Sequence, residues 1–238
     1  MRLQGLDIAR GVAIILMVVF HFCFDLKNFG YVDFDLKNGE FWKYFRYLIV
    51  SMFIFLAGIS AQLMHMNGIN VQKLLKRLLF LGFASLLVTV GSYTQFPKSW
   101  IYFGVLHFFF VVTIIGLIFL KIPKISLLLG IFIIIGYNYS WISMHWLYSI
   151  LQEPFFLPQV YTQDLVGFVP WFGVYLLGLT AGSYRLQELF FNFDFLNQKT
   201  KMNTFFAILG THSFIIYLLH QLVLFALFYL IAFLFVNG

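Results

Sequence analysis

Residues 6–26, LDIARGVAIILMVVFHFCFDL, form the first apolar stretch of the chain and decide its fold class. The stretch is long enough to cross a bilayer as a helix, because about 20 apolar residues span the hydrocarbon core. It nevertheless carries Asp7, Arg10, His21 and Asp25. Ionisable groups are costly in hydrocarbon and usually face a protein interior or a water-filled cavity. We therefore expect this helix to line a polar site that the rest of the chain surrounds.

The composition predicts an all-α integral membrane protein. The 238-residue chain is 62% hydrophobic and 10% charged, with a mean hydropathy of +0.92, whereas soluble domains carry about 25% charged residues. The apolar runs are continuous rather than alternating, which favours helices over a β-barrel in the lipid bilayer. The net charge of +6 does not indicate nucleic-acid binding, because the charges lie in short loops between the apolar runs. The single cysteine, Cys23, excludes an intrachain disulfide.

We predict one transmembrane domain over residues 1–238, a single bundle of about seven helices. Residues 141–164 are expected to fold onto the membrane surface or into the bundle as a lid. Residues 185–201 are expected to be a mixed loop in which RLQELFFNFDFL, residues 185–196, could lie flat in the interface. The last helix is expected to break near Gly210, since LGTHSF is typical of a new helix start. The predicted helices are 6–26, 43–66, 74–93, 100–120, 125–140, 165–184 and 205–236.

The basic residues predict the orientation in the plasma membrane, because cytoplasmic loops are enriched in Lys and Arg. Of the 15 Lys and Arg residues, the larger set is expected to face the cytoplasm. The N-terminus is then cytoplasmic and the C-terminus outside, with His21 in the outer half of the first helix. The larger set is Arg2, Arg10, Lys73, Lys76, Arg77, Lys121, Lys124, Arg185, Lys199 and Lys201; the smaller is Lys27, Lys37, Lys43, Arg46 and Lys98.

His21 and Asp25 are the candidate catalytic residues. Residues four apart share a helix face, so Asp25 is expected to bond one ring nitrogen of His21 and fix its tautomer. The other nitrogen could then take a proton from a hydroxyl or an amine. The alternative is a buried histidine bonded to a backbone carbonyl or to water. Cys23 points to a different face, and we do not expect it to be a nucleophile.

Arg10 has two interpretations, an ion pair with Asp7 or a contact to a phosphate group at the cytoplasmic mouth. Lys73, Lys76 and Arg77 lie on the same predicted side. Each fits ordinary positive-inside charge, but together with Arg10 they could form a collar for a polyanionic cofactor.

Two further histidines either line a pocket or are satisfied structural groups. His107 follows Gly104 by three residues, and a glycine allows close approach of another helix. His220 has Tyr217 and Gln221 as close neighbours. No closely spaced pair of ligands demands a metal, so none is predicted.

Five pieces of the chain resemble a known family of enzymes. They are LDIARGVAIILMVVFHFCFDL, MFIFLAGISAQL, LLKRLLFLG, YFGVLHFF and GTHSFIIYLLHQ. They lie between residues 6 and 221, so the resemblance extends over nearly the whole chain. An arginine followed by a histidine inside RGVAIILMVVFHFCFD resembles the integral-membrane acyltransferases of the acyltransferase-three type. The finer resemblance is to bacterial relatives of the heparan-alpha-glucosaminide N-acetyltransferase catalytic domain.

The resemblance implies transfer of an acyl group, from acetyl-coenzyme A or another acyl-coenzyme A, to a glycan or amino-sugar acceptor. It implies that His21 is the base, that Arg10 binds coenzyme phosphate and that Lys76 and Arg77 support it. Direct transfer and a covalent acyl-histidine both stay open, as does a homo-oligomer. Gly58 and Ser60, in FLAGIS, are favoured as helix-packing residues, and the resemblance implies that this stretch also lines the site.

The chain departs from the animal heparan enzymes at one point. Those enzymes have an important histidine in the loop after the first helix, whereas residues 27–42 contain none. His21 is therefore the natural candidate for the base.

Two other functions are compatible with histidines in spans. One is a proton-coupled small-molecule transporter with an intramembrane His/Asp relay, although carriers are typically built from internal repeats and none is visible. The other is a haem-binding electron carrier with paired histidine ligands.

The orientation can be tested with a reporter that is active only outside the cytoplasm. Fused after Gly238, it is expected to be active, because seven spans place the two ends on opposite sides. Inserted into the loop at 67–70, it is expected to be inactive. The reverse pattern would contradict the placement of His21 in the outer half of its helix.

Overall fold

The computed structural model describes residues 3–36, 38–158, 162, 164–191 and 193–236. Within these ranges every regular element is a helix, which confirms the all-α prediction for this part of the chain. Arg2 and Lys37, counted in the orientation argument, lie outside it. The helices are α1 Gln4–Asn28, α2 Glu40–His65, α3 Val71–Gln95, α4 Val105–Phe119, α5 Pro123–Asn138, α6 His145–Gln152, α7 Phe168–Ser183, α8 Leu186–Phe191, α9 Asp194–Asn197, α10 Lys201–Thr211 and α11 Ser213–Val236.

The apolar helices are those of a multi-pass membrane protein. Among the described residues α1, α2, α3 and α11 are long and apolar enough to cross a bilayer, while α4, α5 and α7 are shorter apolar helices. On α11 the side chains of Leu222, Val223 and Phe233 are 61%, 63% and 65% exposed. Such faces suit contact with lipid rather than water. The count of seven spans stays a prediction.

The chain divides into two compact units, which are described separately. Unit 1 is Met1–Leu56 with Leu186–Gly238, and unit 2 is Ala57–Arg185. The division falls within α2, so this helix contributes residues to both units. The prediction of one domain over residues 1–238 stays a prediction.

In unit 1, α1 and α10 approach each other at glycines. A Cβ atom added to Gly11 would overlap the backbone oxygen of Phe206, and one added to Gly210 would overlap the backbone oxygen of Asp7. Small residues let helix backbones meet in this way and stabilise helix pairs in membranes. Next to this contact Ile14 and Met17 form a buried core with Ile49 of α2.

In unit 2, glycines again set the helix contacts. A Cβ atom on Gly130 of α5 would lie 3.0 Å from the backbone oxygen of Gly173 on α7. Gly58 of α2 lies against α7, and a Cβ atom there would overlap the backbone oxygen of Tyr175. The packing expected of Gly58 is therefore present.

The start of α4 differs from the prediction. The helix begins at Val105 rather than at Trp100, because side chains of α3 hold the preceding segment. Ser92 Oγ accepts a hydrogen bond from the Ile101 amide at 2.9 Å, and Thr89 Oγ1 donates to the Ile101 oxygen at 2.9 Å. With both of its backbone groups bonded to side chains, Ile101 stays outside the helix.

The predicted break in the last helix is confirmed, two residues beyond Gly210. α10 ends at Thr211 and α11 begins at Ser213. His212 between them is the C-cap of α10. The two long connections also contain short helices, α6 within residues 141–164 and α8 and α9 within 185–201.

The glycine contact between α1 and α10 can be tested by Gly11→Ala. The added methyl group collides with the Phe206 backbone, and overpacking of this kind costs about 1–3 kcal/mol. We expect a lower melting temperature in detergent. The control is Gly91→Ala on α3, where a Cβ atom would meet no atom within 4 Å. Equal effects at the two positions would contradict the proposed backbone contact.

Candidate active site

The polar residues of α1 meet those of α11 within unit 1. The rings of His21 and His220 are in edge-to-face contact, with centroids 4.6 Å apart and planes inclined by 63°. One turn further along α1, the Asp25 carboxylate meets the amide of Gln221. Two consecutive residues of α11 thus contact the two ionisable residues towards the C-terminal end of α1.

Asp25 is fully buried, at 0% exposure. Gln221 Nε2 donates to both of its oxygens, at 2.9 Å to Oδ1 and 3.1 Å to Oδ2. The expected hydrogen bond between Asp25 and His21 is not found among the described side chains. The carboxylate bonds to an amide of a different helix, while the His21 ring packs against His220 and Phe24. Asp25 therefore reaches the histidine pair through Gln221.

The tautomer of His220 follows from its backbone contact. Its Nδ1 lies 2.6 Å from the Tyr217 oxygen. A carbonyl oxygen only accepts, so Nδ1 carries the proton. The lone pair of the neutral ring is then on Nε2, which is buried and has no hydrogen-bond partner among the described residues. An unsatisfied buried acceptor costs about 1–3 kcal/mol, which makes this atom a candidate for function rather than stability.

His107, in unit 2, shows the opposite situation. The Gly104 amide donates to its Nδ1 at 3.3 Å, so Nε2 carries the proton and donates to Thr89 Oγ1 at 3.0 Å. Both ring nitrogens are satisfied, which favours the structural alternative for this histidine. The close neighbour of Gly104 is not a helix, because a Cβ atom there would lie 2.8 Å from the carboxylate of Asp164.

Arg10 forms the ion pair that its spacing from Asp7 allows. Arg10 Nη1 donates to Asp7 Oδ1 at 2.6 Å, and Asp7 is 4% exposed. A guanidinium has five N–H donors, so this pair does not exhaust it. A contact between Arg10 and a phosphate group stays a prediction.

Unit 2 contains a second polar site, a small cavity around Arg77. Arg77 of α3, His65 of α2 and Tyr175 of α7 line it together with Thr113 of α4. No carboxylate is among its lining residues, so the guanidinium there suits an anionic group. Lys73 and Lys76 are exposed on the first turns of α3.

Two residues of these sites were not singled out from the sequence. Gln221 was noted only as a neighbour of His220, although an amide inside an apolar run was a signal of an interhelical bond. Tyr175 gave a weaker signal, a lone hydroxyl in the apolar GVYLLGL.

Ser60 and Tyr217 are half-buried on α2 and α11. Among the described residues no group of three or more His, Cys, Asp and Glu side chains could hold a metal ion.

The fold and the site define a multi-pass helical membrane protein with ionisable groups buried between its helices. The family model described as heparan-alpha-glucosaminide N-acetyltransferase, catalytic, matches residues 2–222, and the chain belongs to this family. The resemblance drawn from the five sequence pieces is thereby confirmed, and the family is one of acetyltransferases. Comparisons with curated proteins and with solved structures give no match.

The link between α1 and α11 can be tested by Gln221→Leu. This change leaves the buried Asp25 carboxylate without its donor, which costs about 1–3 kcal/mol or more for a charged group. We expect a clear loss of thermal stability in detergent. Gln72→Leu on the exposed start of α3 is the control. Combining Asp25→Leu with Gln221→Leu removes both partners and is expected to recover most of the loss; no recovery would argue against the bond.

Proposed function

We propose that the protein moves an acyl group, most simply acetyl, from cytoplasmic acyl-coenzyme A to a glycan or amino-sugar acceptor at or across the plasma membrane. The observation that carries the proposal is the family match over residues 2–222. The half-buried histidine pair adds a chemical reason, because acyl transfer to an amine or hydroxyl needs a group that accepts its proton. The name of the family, which contains a glucosaminide, points to an amino-sugar acceptor.

His21 is proposed as the base. The acceptor nitrogen or oxygen attacks the thioester carbonyl while His21 takes its proton. The new carbon–nitrogen or carbon–oxygen bond forms, the carbon–sulfur bond breaks, and the coenzyme leaves as a thiolate that takes the proton. Asp25 acts on this site through Gln221, which it holds beside the histidine pair.

The coenzyme is proposed to bind through the arginines. Coenzyme A is polyanionic, and a planar guanidinium matches phosphate oxygens with two parallel hydrogen bonds. Arg10 and Arg77 are the proposed phosphate ligands, supported by Lys73 and Lys76. The lining of the cavity around Arg77 supports the part of this assignment that concerns Arg77, since it offers Tyr175 as a further hydroxyl group and no competing carboxylate.

The alternatives receive less support. Membership of an acetyltransferase family does not favour a proton-coupled transporter. A haem held between His21 and His220 does not fit, because ring centroids 4.6 Å apart leave no room for a macrocycle and its iron.

The proposal is tested with purified protein in lipid nanodiscs, acetyl-coenzyme A and a panel of sugars and amino sugars. We expect wild type to bind the coenzyme and acetylate at least one acceptor. Arg10→Ala and Arg77→Ala are each expected to weaken coenzyme binding about tenfold, since a hydrogen bond to a charged group contributes about 1.5–3 kcal/mol. His21→Ala is expected to keep binding but lose transfer by about 100-fold or more.

The matched charge control is Lys98→Ala, because Lys98 is exposed and lies on the predicted outer side. It is expected to bind the coenzyme like wild type. The proposal fails if wild type neither binds the coenzyme nor transfers acetyl to any member of the panel.

A further inference from the structure

Proton transfer to His21 creates an imidazolium inside the protein, and that cation needs a hydrogen-bond acceptor. The expected acceptor, Asp25, has both carboxylate oxygens bonded to Gln221. The His21 ring contacts the rings of Phe20, Phe24 and His220, and of these only His220 has a nitrogen that can accept a hydrogen bond. Its Nε2 is a buried lone-pair acceptor with no partner among the described residues.

We propose that His220 is the positioning residue of the reaction, with Nε2 accepting a hydrogen bond from the imidazolium form of His21. The proposal rests on the proposed function, in which His21 is the base. In many enzymes a carboxylate bonds to the catalytic base and orients it, and His220 has this role for His21. It fixes the ring and stabilises the added proton.

The backbone prepares His220 for this role. Its Nδ1–H is held by the Tyr217 oxygen at 2.6 Å, so the neutral ring presents a lone pair on Nε2. His107 has the reverse arrangement, with Nδ1 as acceptor and Nε2 bonded to Thr89. His220 can therefore accept a hydrogen bond at Nε2 without changing its tautomer. His107 cannot, because both of its ring nitrogens already have hydrogen-bond partners.

The link between Asp25 and Gln221 fixes the position of the pair. Gln221 directly follows His220, and Asp25 is one turn beyond His21 on α1. The two bonds from Nε2 of Gln221 to the buried carboxylate hold α11 against α1 at this level. The ring contact is thus supported from the neighbouring turn.

The protons balance over one cycle. Neutral His21 begins with one ring proton and gains a second from the acceptor as the acyl carbon binds the acceptor and the carbon–sulfur bond breaks. One N–H of the resulting imidazolium donates to His220 Nε2. The extra proton then goes to the departing thiolate, and both imidazoles are neutral again.

The test compares His220→Asn and His220→Gly with wild type in nanodiscs. The Asn amide can still donate to the Tyr217 oxygen but has no atom at the Nε2 position. We expect kcat to fall about 100-fold, as for loss of a proton-transfer partner, while KM for acetyl-coenzyme A stays within twofold. For His220→Gly, added imidazole is expected to restore turnover in a saturable way, which a purely structural role would not produce.

The matched control is His212→Asn. His212 also places Nδ1 2.9 Å from a carbonyl one turn earlier, that of Ile208, but it is exposed and contacts no second histidine ring. Its kcat is expected to equal that of wild type. A direct readout is the ¹⁵N NMR spectrum of histidine-labelled wild type, with His220 assigned by substitution, which should show the Nδ1–H tautomer.

The outcomes separate the two proposals. Absence of any transfer by wild type overturns the proposed function. Normal transfer by wild type with a His220→Asn kcat within threefold, failure of imidazole to rescue His220→Gly, or the Nε2–H tautomer in the spectrum overturns the role of His220 and leaves the proposed function standing. If His220→Asn does not fold, the tautomer of His220 in the spectrum of wild type still supports or overturns the role of His220.

Discussion

The hydrogen bond between the Asp25 carboxylate and the Gln221 amide is the interaction on which the candidate site depends. A carboxylate at 0% exposure is strongly destabilising unless its oxygens are bonded. One amide nitrogen, 2.9 and 3.1 Å from the two oxygens, serves this need from a different helix. Because the donor must stay in place, α11 is fixed against α1, and His220 is thereby held against His21.

α1 is fixed by different means towards its two ends. Towards its start, Gly11 and the carbonyl of Asp7 meet the backbone of α10, where the missing side chains of Gly11 and Gly210 allow contact. Towards its end, the hydrogen bonds from Gln221 to Asp25 fix α1 against α11. Dispersion between backbones needs close approach but no particular donor, whereas the amide and carboxylate need one defined geometry. The helix thus combines tolerant packing at one end with strict geometry at the end where chemistry is proposed.

The sequence was sufficient for the helical fold class, the family and the break after Gly210, because these depend on hydropathy, local motifs and helix-start residues. It was insufficient to predict the hydrogen-bond partners of the polar groups. The rule that residues four apart share a face paired Asp25 with His21, but it considers only neighbours on one helix, and the real donor is 196 residues away. His107 was undecided for the same reason, since its state depends on Thr89 in another helix. The start of α4 was missed because hydroxyl groups of α3 hold Ile101.

The acceptor that holds the His220 proton is a main-chain oxygen, that of Tyr217. Every amino acid at position 217 keeps that oxygen, so point mutation there cannot delete it, and neither can chemical damage to the side chain. Sequence drift at 217 can reshape the aromatic surroundings of the pair but not the identity of the nitrogen that bears hydrogen. The tautomer of His220 is therefore determined by the path of the α11 backbone rather than by a side chain that a mutation could replace.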